Sequence, residues 1–499
     1  MSLTVRQRKI LVGLLTGAGV LVGAVCLRFS SLVQDRLTDL RTPRTAAVTI
    51  DPAVPVAVSL SGVSFPPVHR LRLKNGLRVL ILEDHRLPRV TMRLIVPAGQ
   101  VYAPAPAVAE LTNAMLNEGT TNHTEEQIAD ALEQRGATFA GRWNQEDASL
   151  QVTGLSEHTN DLLGLLSDMA MHANFPADKL EMKKRLQIAD DMAFQGAGYV
   201  SNSVAAFLLY GATPYGHLPM TDAEVNRVQT SDLVDFYQTH YCPNQAILAV
   251  SGDVDTKSLE KLVESNLGTW PAAADVAPPS FSAVADTPGT PPVSLIDWPK
   301  DKQAYITLQC LTVSYGDPDY FPLLVANRIL GGVGTSRLGE DLREDRGFTY
   351  GASSSFYAPA HWPGIWYASA DVPTEQVGTA IEDIRTQMNR LRSEPVDTEE
   401  LKRTKNGLIG DYERSLETPD YPLSMAAGIE MANLPENLYE SRISRVAAVT
   451  STDIQRVAAK YFAPNRVHIV VVGTPELLNS TLSAFGPVQH YSDLGAPKL

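Results

Sequence analysis

The stretch VQTSDLVDFYQTHYCPNQAILAVSGD (228–253) reads almost in step with VTSTDIQRVAAKYFAPNRVHIVVVGT (449–474), and that pairing decides the fold. Without a gap, Val228 falls on Val449, Asp232 on Asp453, and Pro243-Asn244 on Pro464-Asn465. Each copy spaces its apolar residues for a helix, breaks at a Pro-Asn turn, and runs into a short apolar strand ending in Gly. The chain carries a duplicated domain.

Working outward, the first copy begins HRLRLKNGLRVLILEDHRLPRVTMRLIVPAG (69–99), two β-rich runs about a Lys-Asn-Gly turn, the usual hairpin signal. HTEEQIADALEQRG (123–136) follows. Thr124 and Gln127 form a capping box there, and the helix it opens closes at Gly136. Its charges fit a solvated face, and His123 a surface position beside the cap. Strands first, helices next and a returning strand make each half α+β, an antiparallel-rich sheet packed by helices. The run PAAADVAPPSFSAVADTPGTPP (271–292) has the composition of an interdomain linker. The two homologous domains are therefore expected over 68–270 and 293–490.

The 499 residues, 44% hydrophobic and 20% charged, suit a multidomain globular protein. A net charge of −14 without a basic cluster excludes a nucleic-acid partner. Arg6, Arg8 and Lys9 precede an apolar run from Ile10 to Leu27. Residues 1–28 thus read as an export signal or membrane anchor, and 29–67 as the linker behind it. The lack of a small-x-small cleavage site favours an uncleaved anchor, and bulky Val25 argues against lipid attachment at Cys26. With only Cys26, Cys242 and Cys310 there is no disulfide framework; a Cys242–Cys310 bridge and two free thiols both stay open.

Four further stretches carry a resemblance: AVAELTNAMLNEGT (107–120), HANFPADKLEMKKR (172–185), PYGHLPMTD (214–222) and LGGVGTSRLGEDLREDRGFTYGASSSF (330–356). With the hairpin and both Pro-Asn strands, they resemble the pitrilysin/insulinase group of inverted-zincin metallopeptidases, in the branch of the mitochondrial processing peptidase and short bacterial relatives. Members that cleave peptides carry His-x-x-Glu-His on the first helix. Its two histidines and a later carboxylate hold zinc, and its Glu activates the bound water. Here those positions are Glu110, Asn113 and Ala114, and the later ligand falls at Asp190. Alanine cannot ligate and asparagine cannot serve as a base, so the resemblance implies no catalytic zinc on this chain. Glu110 and Asp190 are expected to cap a helix, to pair with a cation such as Lys183 or Lys184, or to face water rather than hold a metal ion.

The strand that handles substrate in active relatives reads Gly136-Ala-Thr-Phe-Ala140-Gly-Arg142-Trp143, with Ala140 in place of Asn. By contrast, the Arg and Tyr that such enzymes bring from the C-terminal domain to the substrate carbonyl are kept as Arg346 and Tyr350. The plainer reading puts Arg346 at a helix C-terminus, Gly347 as its cap and Tyr350 in a strand. The run LGGVG (330–334) lacks the Gly-Lys-Ser/Thr of a phosphate loop and fits close packing.

The resemblance implies the non-zinc-binding subunit of a heterodimeric zinc metallopeptidase, supplying Arg346 and Tyr350 to its partner's active site. No cofactor is expected on this chain, and zinc is expected on a paralogous partner bearing His-x-x-Glu-His. The substrates would be short or unfolded peptides, and the place the periplasm, anchored to the inner membrane or secreted. The alternative is a catalytically inert scaffolding or binding protein with the peptidase fold. An enzyme working alone has little support, since none of the ten histidines forms a ligand pair. His217 and His361 lie in Pro- and Gly-containing loops and are expected in surface or turn roles.

Overall fold

Gly76, at φ +95°, closes the Lys-Asn-Gly turn between β1 (His69–Arg72) and β2 (Arg78–Glu83). The left-handed backbone there suits glycine. The computed structural model describes residues 65–194, 196–211, 213–274, 276–277, 292–298 and 302–498. The apolar run Ile10–Leu27, Cys26 and residues 278–291 of the linker lie outside them.

The first sheet adds β3 (Arg89–Val96), β4 (Thr138–Trp143), β5 (Ala148–Leu155) and β6 (Ile247–Gly252). The second holds β7 (Val293–Asp297), β8 (Gln303–Leu311), β9 (Ala352–Tyr357), β10 (Ile365–Pro373), β11 (His468–Gly473) and β12 (Val488–Tyr491). Their strand orders, β1-β2-β6-β3-β5-β4 and β12-β7-β11-β8-β10-β9, follow one plan. The returning strand β6 inserts between β2, parallel to it, and β3, antiparallel to it. β11 inserts in the same way between β7 and β8. The copies differ at one edge, where β1 pairs antiparallel as a hairpin but β12 arrives from the far end of the chain and pairs parallel.

Helices of the first half are α1 (Val108–Met115), α2 (Glu125–Glu133), α3 (Thr159–His172), α4 (Ala177–Phe194), α5 (Ala197–Tyr210), α6 (Asp222–Arg227), α7 (Thr230–His240) and α8 (Thr256–Leu267). Those of the second are α9 (Tyr320–Leu330), α10 (Val377–Ser393), α11 (Thr398–Ser415), α12 (Asp420–Met431), α13 (Arg442–Ala448), α14 (Ser451–Tyr461) and α15 (Pro475–Leu482), with a π-helical turn at Gly339–Asp345. The aligned aspartates have one job. Asp232 accepts the backbone N–H of Gln229 at 2.8 Å to open α7, and Asp453 that of Thr450 at 3.0 Å to open α14. The capping box of Thr124 and Gln127 opens α2 as the sequence indicates.

Alternation along the strands gives each sheet two buried faces. Val79, Ile81, Met92 and Leu94 pack with Leu111 of α1, Leu163 of α3, Leu233 of α7 and Val263 of α8. Leu80, Leu82, Ile95, Ile247 and Ala249 face the other way, against Leu423, Ala426 and Ala427 of α12, a helix of the second half. Conversely, Val200, Val204 and Ala205 of α5 cover Ile296, Val470 and Val472 of the second sheet. Each half lends the other a helix. Full burial of one such aliphatic side chain contributes about 1.5–3 kcal/mol, so the exchange binds the halves firmly. Asp420 adds a polar tie, accepting from Ser251 and Arg89 at 2.6 Å each. Cys242 and Cys310 are both buried and are not bridged to each other.

Asp319, just before α9, is 5% exposed and accepts from Arg456 (2.5 Å), Lys460 (2.9 Å) and Tyr461 (3.0 Å) of α14. Burial pushes this carboxyl up, but the three donors outweigh burial and hold it below the usual carboxylate range. Replacing Asp319 by Ala leaves the hydroxyl of buried Tyr461 without this acceptor and removes the ion pairs to half-exposed Arg456 and Lys460. A loss of about 2–4 kcal/mol is expected in urea unfolding, and a loss under about 0.5 kcal/mol contradicts this account.

Candidate functional site

α1 is short and almost wholly buried; its first capping position, Ala107, holds the left-handed conformation at φ +66° without a side-chain cap. The residues predicted at the metal-binding positions divide by environment. Asn113 is buried, and its Nδ2 donates to the Ser149 carbonyl of β5 at 3.4 Å. A Cβ on Gly141 of β4 would come within 2.7 Å of its Oδ1, so glycine there lets the amide sit against the edge hairpin. Glu110 and Ala114 are half-buried, while Asp190 on α4 is exposed. The expected partners of these carboxylates lie elsewhere. Lys183 pairs with buried Glu118 at 2.6 Å, three residues beyond the end of α1, and Lys184 pairs with Glu181 at 2.8 Å. Among the described residues no group of three or more His, Cys, Asp or Glu is gathered as a metal ion requires.

The loop after α1 is fixed from α3. Asp168 accepts from Thr120 (2.6 Å), Asn122 (2.5 Å), His123 (2.9 Å) and His172 (3.1 Å). His123 therefore sits beside its cap with Nδ1 committed to a carboxylate. Burial pushes the Asp168 carboxyl up, but its donors prevail and the group titrates below the ordinary range. Because the folded value lies below the unfolded one, near about 3.9, the stabilisation is complete above about 3.9 and lost as pH falls through the folded value. Asp168→Asn is expected to cost about 1–3 kcal/mol at pH 7. That gap should close on acidification; one that persists unchanged through the acid range removes the carboxylate from the explanation.

In the second half, Arg346 follows the π-helical turn and Gly347 takes φ +65° behind it, so the helix end is capped as expected. The guanidinium reaches Asp383 at 3.0 Å and Asp341 at 3.7 Å, with Cζ 6.0 Å from the Phe348 ring centroid. Burial pushes the Asp383 carboxyl up, and neighbouring Asp341 adds to this against the pull of Arg346. Tyr350 is not a strand residue: it precedes β9 and is 99% exposed. Thr349 and Gly351 hold the local turn, with the Gly351 N–H donating to Thr349 Oγ1 at 3.1 Å. The glycine run serves packing, since a Cβ on Gly331 would come within 2.4 Å of the Ser354 nitrogen of β9.

β4 is the outer strand of the first sheet, with Ala140 half-buried and Arg142 and Trp143 exposed. His217 is partly buried, and burial lowers its pKa, whereas His361 lines a cavity between the halves. Neither the fixing of the loop by Asp168 nor this cavity was read from the sequence.

Residues 78–208 match the insulinase family (peptidase family M16), and residues 227–408 match the peptidase M16 inactive domain. The chain belongs to the M16 peptidase family. Among M16 relatives, the mitochondrial-processing peptidase subunit beta of Blastocladiella emersonii is 23% identical over 463 residues, covering 89% of this chain and 96% of that protein. The non-peptidase homolog YmxG of Helicobacter pylori is 21% identical over 390 residues, covering 75% of this chain and 87% of that one. The crystal structure of a peptidase M16 inactive domain from Pseudomonas fluorescens superposes with a TM-score of 0.73 at 26% identity, covering 82% of this chain and 98% of that chain. Zinc, which the M16 family implies, does not fit the residues present. The metal favours imidazole and thiolate donors with carboxylate, and this chain offers Ala114, an Asn113 amide committed to β5 and an exposed Asp190.

Proposed function

We propose that this chain is the non-zinc-binding subunit of a two-subunit zinc metallopeptidase, and that Arg346 and Tyr350 work in its partner's active site. One contrast carries the reading: α1 lacks the metal-binding and basic groups, while Tyr350, four residues after Arg346 in sequence, stands fully exposed. A phenol with no burial gains nothing for this fold by its position; it suits a surface that another chain completes. Guanidinium and phenol are both donors for the charge that builds on a peptide carbonyl oxygen during hydrolysis. Zinc on the partner would activate the water. An extended peptide would lie along an open sheet edge such as β4, where backbone rather than side chains sets recognition, so preference for sequence would be loose. Residues 1–28 would place the assembly at the periplasmic face of the inner membrane.

A scaffolding role without chemistry is the second reading, favoured by the two carboxylates that already engage Arg346. Hydrolysis of an unstructured peptide pool separates the two. The chain alone should be inert, and cleavage should appear on mixing with a His-x-x-Glu-His paralogue and vanish with a chelator. Association without any gain in cleavage supports the scaffold. Metal-dependent cleavage by this chain alone overturns both readings.

A further inference from the structure

A cavity of about 700 Å³ lies between the two halves, within the roughly 300–1,000 Å³ of small-ligand sites. Ile95 at its wall belongs to the face covered by α12, whereas α1 packs on the opposite face of the same sheet. The cavity is therefore separated from the zinc-motif helix by the thickness of a sheet. Three arginines, Arg72, Arg78 and Arg93, line it. Arg72 and Arg78 are direct cross-strand partners, an arrangement of like charges that is destabilising unless something offsets it.

None of the three forms an ion pair among the described residues. Arg78 donates to the carbonyls of Glu430 (2.9 Å) and Gln245 (3.0 Å), and Arg93 Nε donates to Ser149 Oγ at 3.1 Å. The nearby Glu430 carboxylate is taken by Arg70 at 3.0 Å. Of the two carboxyls in the wall, Glu146 already accepts from Tyr215 (2.8 Å) and the Ala360 N–H (3.1 Å). Burial pushes the carboxyl of the other, Asp147, up, against the opposing pull of Asn144 and Arg93, with no ion pair between Asp147 and Arg93 among the described residues. Among the polar atoms of the lining, Arg78 Nε and Gln245 Oε1 are buried without a hydrogen-bond partner among the described residues, which calls for an explanation.

We infer that this cavity binds a small ligand ending in an oxyanion, a carboxylate or a phosphate, held by Arg72, Arg78 and Arg93 with its body against Tyr102 and Tyr357. Guanidinium groups match both oxyanions in two-point geometry, and the aromatic walls suit an apolar remainder. This site does not depend on the peptidase reading.

Calorimetric titration of the full chain with a tripeptide carboxylate, the same tripeptide as its amide, and inorganic phosphate tests it. Saturable binding of the carboxylate but not the amide identifies a carboxylate ligand, and tighter binding of phosphate identifies a phosphate ligand; either supports the site. Arg93→Gln should then weaken binding about ten- to hundredfold, while Arg142→Gln on β4 leaves it unchanged. Should Arg93→Gln fail to fold, Arg72→Gln, at an exposed residue, gives the same reading. Absence of saturation by both oxyanions, or an affinity in the Arg93 and Arg72 variants equal to that of the unsubstituted chain, overturns the inference.

Discussion

Arg346→Ala, in this chain assembled with a zinc-bearing partner, is expected to lower kcat/KM for peptide hydrolysis by about 10²–10³-fold, the cost of removing one donor from a developing oxyanion. Association should be unchanged, because the side chain is 46% exposed and its ion pairs are of the surface kind. Tyr350→Phe isolates the hydroxyl. At 99% exposure, that substitution cannot disturb the fold, so any fall in rate with association intact belongs to the shared site. The loss should sit mainly in kcat if the two groups meet the carbonyl only as charge develops. Unchanged kinetics in both variants would assign the pair to structure, where Asp341 and Asp383 already give Arg346 an occupation.

The second large effect lies far from any chemistry. Trp366 on β10 is completely buried, packs against Phe462 with ring centroids 4.6 Å apart and planes tilted by 47°, and donates from Nε1 to Asn327 Oδ1 at 2.9 Å. The same Asn327 oxygen accepts from Ser354 at 2.8 Å, so β9, β10 and α9 meet there. Trp366→Ala should destabilise the chain by about 3–5 kcal/mol, read as a lower urea midpoint with an unchanged slope. Trp366→Phe keeps most of the volume and should cost about 1–2 kcal/mol. A loss below about 1 kcal/mol for the alanine variant would mean that the site collapses onto the space or was never tightly packed.

Much of this architecture was legible because its signals are local. The Lys-Asn-Gly turn and the box at Thr124 each depend on residues within four positions of one another, and both form as read. The altered zinc positions were legible for a different reason: Asn113 and Ala114 lack the chemistry wherever they sit. Relations between elements stayed hidden. The partner of Lys183 proved to be Glu118 rather than Glu110 or Asp190, because helix periodicity says which side chains share a face but not which neighbour they meet. Likewise α5 and α12 carry ordinary buried faces, and nothing in such a face records that it covers the other half's sheet. Tyr350 looked like a strand aromatic by residue type, and only the turn made by Thr349 and Gly351 sets it outside β9. The arginine cavity draws on β1, β2 and β3 together with segments hundreds of residues later, a convergence that no local pattern signals.

The reciprocal loan of α5 and α12 also sets an order of events during biosynthesis. The first sheet is complete once β6 has emerged, yet its second apolar face has no cover until Asp420–Met431 emerges, after four of the second half's six strands. Through that interval the nascent chain carries a finished but bare surface, the kind that aggregates or recruits chaperones. Duplication here did not yield two autonomous modules. It yielded one cooperative body whose early part must wait for its late part, so truncation anywhere before α12 should leave an insoluble product rather than a shorter protein.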